Sequence, residues 1–196
     1  MPRVINHDER RRHIISVARD LMVQGGFAAA TMRGIATAAG FANGALKHYF
    51  DGKDAIVAAT FDSVLAEMAQ YMPRREASEE VDPLEELHEY VLAAMPVDET
   101  RIGGARVLLA LWENSVTNPD LAERYRQHLL GWGLDLHERI RAAAPAGTSD
   151  EAIEGLVHEV ITVTIGANVA CLLSPAHEII DRYTKYVDTF VARVKG

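Results

Sequence analysis

A helix that is interrupted and restarted within three residues constrains the fold of this chain more than any other feature. The stretch TMRGIATAAGFANGALKHYF, Thr31 to Phe50, begins with a suitable helix N-cap and continues as helix for about two turns. Gly40 stands where the first helix has to end, at a position that favours positive φ. Ala36 is small enough for a second helix to cross over the first. The spacing predicts two short crossing helices, whose contacts are Ile35, Phe41 and Leu46.

Helical spacing of apolar residues continues along the rest of the chain, and strand patterns are nearly absent. Caps and helix breakers predict helices over residues 8–24, 53–71, 82–95, 105–116, 118–144, 150–173 and 176–195, with 96–104 irregular. We therefore expect an all-α protein of about nine helices. An N-terminal three-helix helix-turn-helix unit is expected over residues 1–53. A linking helix, about 53–71, joins it to a larger helical bundle within residues 54–196.

Charge is distributed unevenly along the chain. The formal net charge is −8, yet residues 1–53 hold eight Lys and Arg against four Asp and Glu, which gives that segment a charge of +4. The remaining residues therefore carry −12. The basic segment contains the predicted crossing helices, and a basic surface suits the phosphate backbone of DNA. Charge thus favours a DNA-binding helix-turn-helix over an ordinary helical hairpin, which the spacing alone leaves open.

The segment RRRHIISVARDLMVQGGFAAATMRGIATAAGFANGALKHYFDGKDAIVAATFDSVL resembles the DNA-binding domain of the TetR family of transcriptional regulators. That family has a glycine-aromatic stop, a T-x-x-x-I-A-x-x-A-G helix and a G-x-L-Y-x-Y-F-x-x-K recognition segment. The matching positions here are Gly26-Phe27, Thr31, Ile35-Ala36, Ala39-Gly40-Phe41, Gly44-Ala45-Leu46, Tyr49-Phe50 and Lys53-Asp54. The resemblance covers about residues 9–65 and implies a homodimeric regulator that responds to a small-molecule effector.

The resemblance also implies which residues contact DNA. The predicted DNA-binding residues are Thr31, Arg33, Asn43, Gly44, Ala45, Lys47, His48, Tyr49 and Lys53. Those at the start of the second helix are expected at phosphates, because free backbone amides there suit an anion. Those from 43 to 47 are expected to face the major groove, and those from 48 to 53 to reach phosphates. For Tyr49 a packed position is an open alternative, and Phe50 is predicted to be core.

The larger domain implied by the resemblance binds a ligand and dimerises. Its last two helices are apolar over more than one face, whereas a surface helix needs an apolar stripe of only about 100°. Two such helices from each of two chains would form a four-helix dimer interface; a large monomeric core is the alternative. A pocket is expected between the middle helices. Its candidate residues are Met95, Leu108, Leu111, Trp112, Ser115, Tyr125, His128, Leu129, Trp132 and Asn168, each of which plain core packing also explains.

Catalytic and metal-dependent functions are excluded by the available motifs. The short pairs His158-Glu159 and Glu85-Glu86-x-His88 lack a second set of ligands at metal spacing, and no glycine loop cradles a phosphate. The single cysteine, Cys171, lies in an apolar run that suits an inert core thiol. A lone cysteine forms no internal disulfide, which suits a reducing cytoplasm, and no apolar run reaches about 18 residues. We therefore expect that the protein is not an enzyme, that it binds no metal or cofactor, and that it has no membrane partner.

Together with the resemblance, these observations predict a cytoplasmic homodimeric regulator. The usual behaviour of the family implies a repressor, and an activator is the open alternative. The regulator is expected to bind a palindromic double-stranded DNA operator and to be released by a small-molecule effector of unknown identity. Another alternative is a dimeric small-molecule-binding or adaptor protein that has lost DNA binding. That alternative stays open because Ala42 and Lys47 stand where the family usually has serine and tyrosine.

Overall fold

The computed structural model describes residues 6–42, 44–73 and 81–196. Within these ranges every regular element is helical, and the predicted all-α class is confirmed. The α-helices are α1 His7–Ala29, α2 Met32–Ala38, α3 Lys53–Met68, α4 Pro83–Ala94, α5 Glu99–Ser115, α6 Pro119–Ala143, α7 Asp150–Ala170 and α8 Ala176–Lys195. One 3₁₀ turn, Ala45–His48, lies between α2 and α3.

The chain divides into two compact units. The first comprises Met1–Glu67 with Arg106–Leu121, and the second comprises Met68–Ala105 with Ala122–Gly196. In the first unit, α1 packs against α2, and Arg19 of α1 forms an ion pair with Glu67. The largest buried side chains of this unit are Ile14, Met22, Ile35, Leu46, Ile56, Phe61 and Leu111.

Three predicted helix starts are confirmed by their side-chain caps. The Thr31 hydroxyl accepts the N–H of Gly34 at 3.0 Å. An Asp82 carboxylate oxygen accepts the N–H of Leu84 at 3.0 Å, with proline at the first position of α4. The Ser149 hydroxyl accepts the N–H of the alanine three residues on, at 3.2 Å. Each cap satisfies a backbone donor that the helix itself leaves free.

Several boundaries differ from those predicted. The glycine pair expected to end the first helix makes a kink instead: Gly26 has a φ of 70°, and the chain regains helical geometry as far as Ala29. The prediction that 96–104 is irregular is wrong, because α5 begins at Glu99. Asp98 caps that start by accepting the N–H of Arg101 at 2.8 Å. The first turns of α5 are also partly buried, and this burial offsets the helix-destabilising effect of the two glycines within them. The linking helix and α7 each end three residues earlier than predicted.

The second unit has one main core, built by α4, α6, α7 and α8. Its buried members are Leu87, Tyr90, Val91, Met95, Leu136, Ile140, Ile153, Val157, Val160, Ala167, Val187, Phe190 and Val194. A smaller cluster joins Ile102 and Ala105 of α5 to Cys171 and Ile179, which places the lone thiol in the core as expected. At the surface between α4 and α8, His88 Nε2 lies 2.8 Å from an Asp188 carboxylate oxygen.

Helix α7 is unusually apolar for its degree of burial. Its most apolar 18-residue window has a mean hydropathy of 1.2, yet 28% of that window is buried within the chain. By length and composition alone it is the single helix, within the described ranges, that is capable of crossing a membrane. The core helix of a soluble protein satisfies the same criterion, and α7 contributes Ile153, Val157, Val160 and Ala167 to the main core of this unit.

Candidate nucleic-acid interface

Helix α2 ends in a hydrogen-bonded glycine cap. Gly40 has a φ of 72°, as predicted, and its N–H donates to the Thr37 carbonyl at 3.2 Å. The next N–H, that of Phe41, donates to the Ala36 carbonyl at 2.8 Å. This pair of bonds is the Schellman motif, which closes a helix and turns the chain away from its axis. The interruption in the sequence is therefore a true helix end.

The expected second helix of the pair is a single 3₁₀ turn, Ala45–His48, hereafter the recognition turn. Gly44 precedes it with a φ of 96°. This value lies in the left-handed region, which interrupts a right-handed helix. No side-chain cap bonds to its start, which fits the alanine at position 42 where a serine would cap. Asn43, predicted at the groove face, lies outside the described residues.

The predicted DNA-binding residues fall into an exposed group and a half-buried group. The exposed ones are Thr31, Arg33, Gly44, Lys47 and His48, and the half-buried ones are Ala45, Tyr49 and Lys53. The recognition turn is fixed by Leu46, its one buried side chain, which is 1% exposed. The turn thus presents Lys47 and His48 to solvent, while Phe50 is core as predicted. The DNA contacts themselves stay a prediction.

Lys53 is engaged within the first unit rather than extended into solvent. Its Nζ lies 3.7 Å from the centroid of the Phe27 ring and donates to the Phe27 carbonyl at 3.3 Å. Burial lowers the pKa of this ammonium, and the neighbouring Asp54 opposes the shift. The charge is held against the kink of α1, so a phosphate contact by Lys53 would require the side chain to leave this position.

The first turns of α1 brace the end of the recognition turn. An Arg11 guanidinium N–H donates to the Tyr49 carbonyl, and the guanidinium lies 4.1 Å from the centroid of the Phe50 ring. His13 Nε2 lies 3.3 Å from the Ala39 carbonyl oxygen at the end of α2. The arginine-rich start of the first helix thus braces the pair through Arg11.

One residue of this interface has no sequence signal. His7 stacks on the Tyr49 ring and reaches the backbone of the recognition turn, although these residues are about forty positions apart in the chain. Periodicity and capping describe neighbours within one or two helical turns, so they do not identify such a pair.

In the second unit, part of the predicted pocket forms one face of α6. Tyr125, His128, Leu129 and Trp132 follow helical spacing and are all half-buried. Burial raises the pKa of Tyr125 and lowers the pKa of His128. The indole N–H of Trp132 is buried and has no hydrogen-bond acceptor among the described residues. This face therefore combines aromatic walls with a neutral imidazole and a free donor.

The other predicted pocket residues occupy separate places. Met95 is fully buried, and its Sδ lies 3.9 Å from the Thr164 hydroxyl. The backbone carbonyl of Thr164 accepts a hydrogen bond from Asn168 Nδ2 at 3.0 Å. In the first unit, Leu111 is buried, Leu108 and Ser115 are half-buried, and Trp112 is 44% exposed. Ser115 donates to the Trp112 carbonyl at 2.7 Å. Across the described part of the chain, no group of three or more His, Cys, Asp or Glu side chains is placed to hold a metal ion.

Comparison with known families gives two matches that together span most of the chain. Residues 14–60 match the family described as bacterial regulatory proteins of the tetR family. Residues 83–195 match the family described as the C-terminal domain of BetI-type transcriptional repressors. The chain is 28% identical over 156 residues to the HTH-type transcriptional regulator BetI of Paraburkholderia phytofirmans, covering 80% of each protein. It is 30% identical over 129 residues to the BetI of Paraburkholderia xenovorans, covering 66% of this chain and 65% of that protein.

Solved structures show the same fold at lower identity. A transcriptional regulator from Rhodococcus sp. Rha1 superposes with a TM-score of 0.81 at 22% identity, covering 94% of this chain and 95% of the other. A regulator from Saccharomonospora viridis, solved in complex with choline, has a TM-score of 0.76 at 21% identity and covers 94% and 96%.

Proposed function

Since the chain belongs to the TetR family of bacterial regulators, with a BetI-type C-terminal domain, we propose that it is a homodimeric repressor released from a palindromic operator by a small-molecule effector. Membership of this family makes it a DNA-binding transcriptional regulator and not an enzyme. The recognition turn carries this proposal. Leu46 anchors it in the core, while Lys47 and His48 beside it are exposed and free to meet DNA.

The proposed division of labour follows the charge of the chain. Residues 1–53, with a formal charge of +4, bind DNA, and residues 54–196 bind the effector and dimerise. The two recognition turns of a dimer would enter successive major grooves about 34–36 Å apart. Thr31 and Arg33 would meet phosphates at the start of α2, where free backbone amides also favour an anion. A DNA partner places the site of action in the cytoplasm.

The surface of α7, where small exposed residues stand beside half-buried apolar ones, supports the proposed dimer. Gly155, Thr162 and Gly166 are exposed at spacings that place them on one side of this helix. Small side chains let another helix approach closely, and burial against a second chain would remove the apolar surface of α7 from water. We assign this face, together with α8, to a four-helix interface between two copies rather than to a membrane.

Replacing Lys47 with alanine tests the DNA contact. Lys47 lies in the groove-facing segment, but its flexible side chain can also meet a phosphate. We expect operator affinity to fall about five- to tenfold and the slope of log affinity against log salt to become shallower by about 1, because that one phosphate contact is lost. Affinity for random duplex should fall by a similar factor. The measurement is a titration against DNA flanking the protein's own gene, at two salt concentrations, with the stoichiometry of chains per duplex.

The matched control is Arg126→Ala. Arg126 is an exposed cation of α6 that pairs with Glu123, outside the helices assigned to the dimer interface, and its removal should change neither affinity nor salt slope. Equal loss in both variants would contradict the assignment of Lys47. Equally weak binding of the unaltered protein to flanking and random DNA would instead favour an effector-binding dimer that no longer reads DNA.

The effector is proposed to bind along the half-buried face of α6. The choline complex of the Saccharomonospora viridis regulator supports a small organic cation as the first compound to test. Tyr125 and Trp132 offer aromatic faces to a cation, and the lowered pKa of His128 keeps that imidazole uncharged at neutral pH. The Trp132 indole N–H is free to donate to an oxygen of the ligand.

Choline is therefore expected to release the protein from its operator. A matched control is 3,3-dimethylbutan-1-ol, which has the shape of choline without its charge and should be at least about tenfold less effective. The measurement is operator binding as a function of each compound. Equal release by both compounds would show that charge is not recognised, and release by neither would assign the site to another class of ligand.

A further inference from the structure

We propose that His7 is a positioning residue of the DNA interface: it holds Tyr49 and the end of the recognition turn in the DNA-binding arrangement. This inference rests on the proposed role of the recognition turn in DNA binding. It concerns a residue outside the family motif, at the very start of α1.

Two contacts join His7 to the recognition segment. Its ring centroid lies 4.8 Å from that of Tyr49, with the planes tilted by 37°. Its Nε2 lies 3.4 Å from the carbonyl oxygen of His48. The imidazole thus touches both the last residue of the recognition turn and the one after it. A change in its position would be transmitted directly to the two side chains proposed to reach phosphates.

The Tyr49 ring has a second ring contact, and its backbone is held as well. Phe41 packs edge-on against it at 5.6 Å, and the Arg10 guanidinium lies 5.5 Å from the centroid of the Phe41 ring. Arg11 donates to the Tyr49 carbonyl. Ring contacts of this kind each contribute modestly, but together they fix the orientation of one side chain. His7 is the member of this set that contacts both the Tyr49 ring and the His48 carbonyl.

The two contacts of His7 differ in what they require of the side chain. The contact with Tyr49 needs a planar ring, whereas the contact with the His48 carbonyl needs a ring nitrogen that can donate a hydrogen. A phenyl ring at this position would therefore keep the first contact and lose the second.

The test is an operator titration of His7 variants. His7→Ala should bind about three- to tenfold more weakly than the unaltered protein. His7→Phe keeps the ring contact with Tyr49 and should recover most of that loss. In a protein that already carries Tyr49→Ala, His7→Ala should cost much less, because its partner ring is gone.

Unchanged affinity in His7→Ala would overturn the proposal, as would an equal loss from His7→Ala with and without the Tyr49 ring. Failure of the unaltered protein to bind its operator contradicts the proposed function instead, so the two failures are distinguishable. Thermal unfolding without DNA is measured alongside. If His7→Ala lowers the unfolding midpoint, the affinity of His7→Phe decides the question, because the phenyl ring preserves the packing.

Discussion

Replacing Leu46 with alanine should lower the free energy of unfolding of the first unit by about 2–5 kcal/mol and abolish operator binding. Leu46 is 1% exposed and is the sole buried side chain of the four-residue recognition turn. Its carbonyl also accepts the N–H groups of Tyr49 and Phe50, each at 2.9 Å. Deleting the side chain leaves a cavity beneath the turn, which has no other buried side chain to anchor it in the core.

Chemical denaturation followed by circular dichroism measures this loss. Leu46→Met is the conservative control, because a near-equal volume should cost less than about 1.5 kcal/mol and preserve DNA binding. Lys47→Ala, by contrast, should weaken DNA binding without a comparable change in stability, since that side chain is exposed. An unaltered denaturation midpoint in Leu46→Ala would show that the turn is not anchored through this residue.

Replacing Arg101 with methionine should destabilise the second unit by about 2–3 kcal/mol. The guanidinium donates to the carbonyls of Leu92, Ala93 and Met95 at the end of α4, at 2.9, 3.3 and 3.3 Å. Its Nε donates to an Asp98 carboxylate oxygen at 2.6 Å. Methionine keeps much of the volume but leaves the helix-end carbonyls and a carboxylate without their charged donor.

The matched control is Arg126→Met. Arg126 also pairs with an acid three residues away, Glu123, but both side chains are at least half exposed. Such a surface pair contributes little, so the change should cost less than about 0.5 kcal/mol. Equal destabilisation in the two variants, by denaturation, would show that the bonds from Arg101 to α4 add nothing.

The same site predicts an acid dependence of stability. Burial alone raises the pKa of Asp98, but hydrogen bonds from the Arg101 N–H and guanidinium outweigh it, so the pKa lies below its usual value. A carboxyl with a lowered pKa stabilises the fold above its unfolded pKa, near 4, and that stabilisation is lost as the pH falls further. The stability difference between Arg101→Met and the unaltered protein should therefore shrink below about pH 4.

Local features of the fold were predictable from the sequence because their causes lie within a few residues. Gly40 takes a positive φ because the chain must leave α2 there, and Thr31, Asp82 and Ser149 cap helices through bonds to N–H groups two or three positions away. The prediction for the start of α5 was wrong. Asp98 is a good helix cap, but the two glycines close behind it disfavour a helix. Burial of Ile102 and Ala105 in the core outweighs that cost, and the segment is helical.

By itself the sequence determined the helical class, the interrupted helix pair and the basic segment that carries it, since periodicity, caps and charge are local or additive properties. Only the tertiary structure decided that His7 lies on Tyr49, that the Lys53 ammonium rests on Phe27, and that Arg101 closes the end of α4. The first two of these contacts join residues 42 and 26 positions apart, and the third spans a loop. The partners of a side chain at such separations along the chain depend on how whole helices pack, and the spacing of apolar residues does not predict that packing.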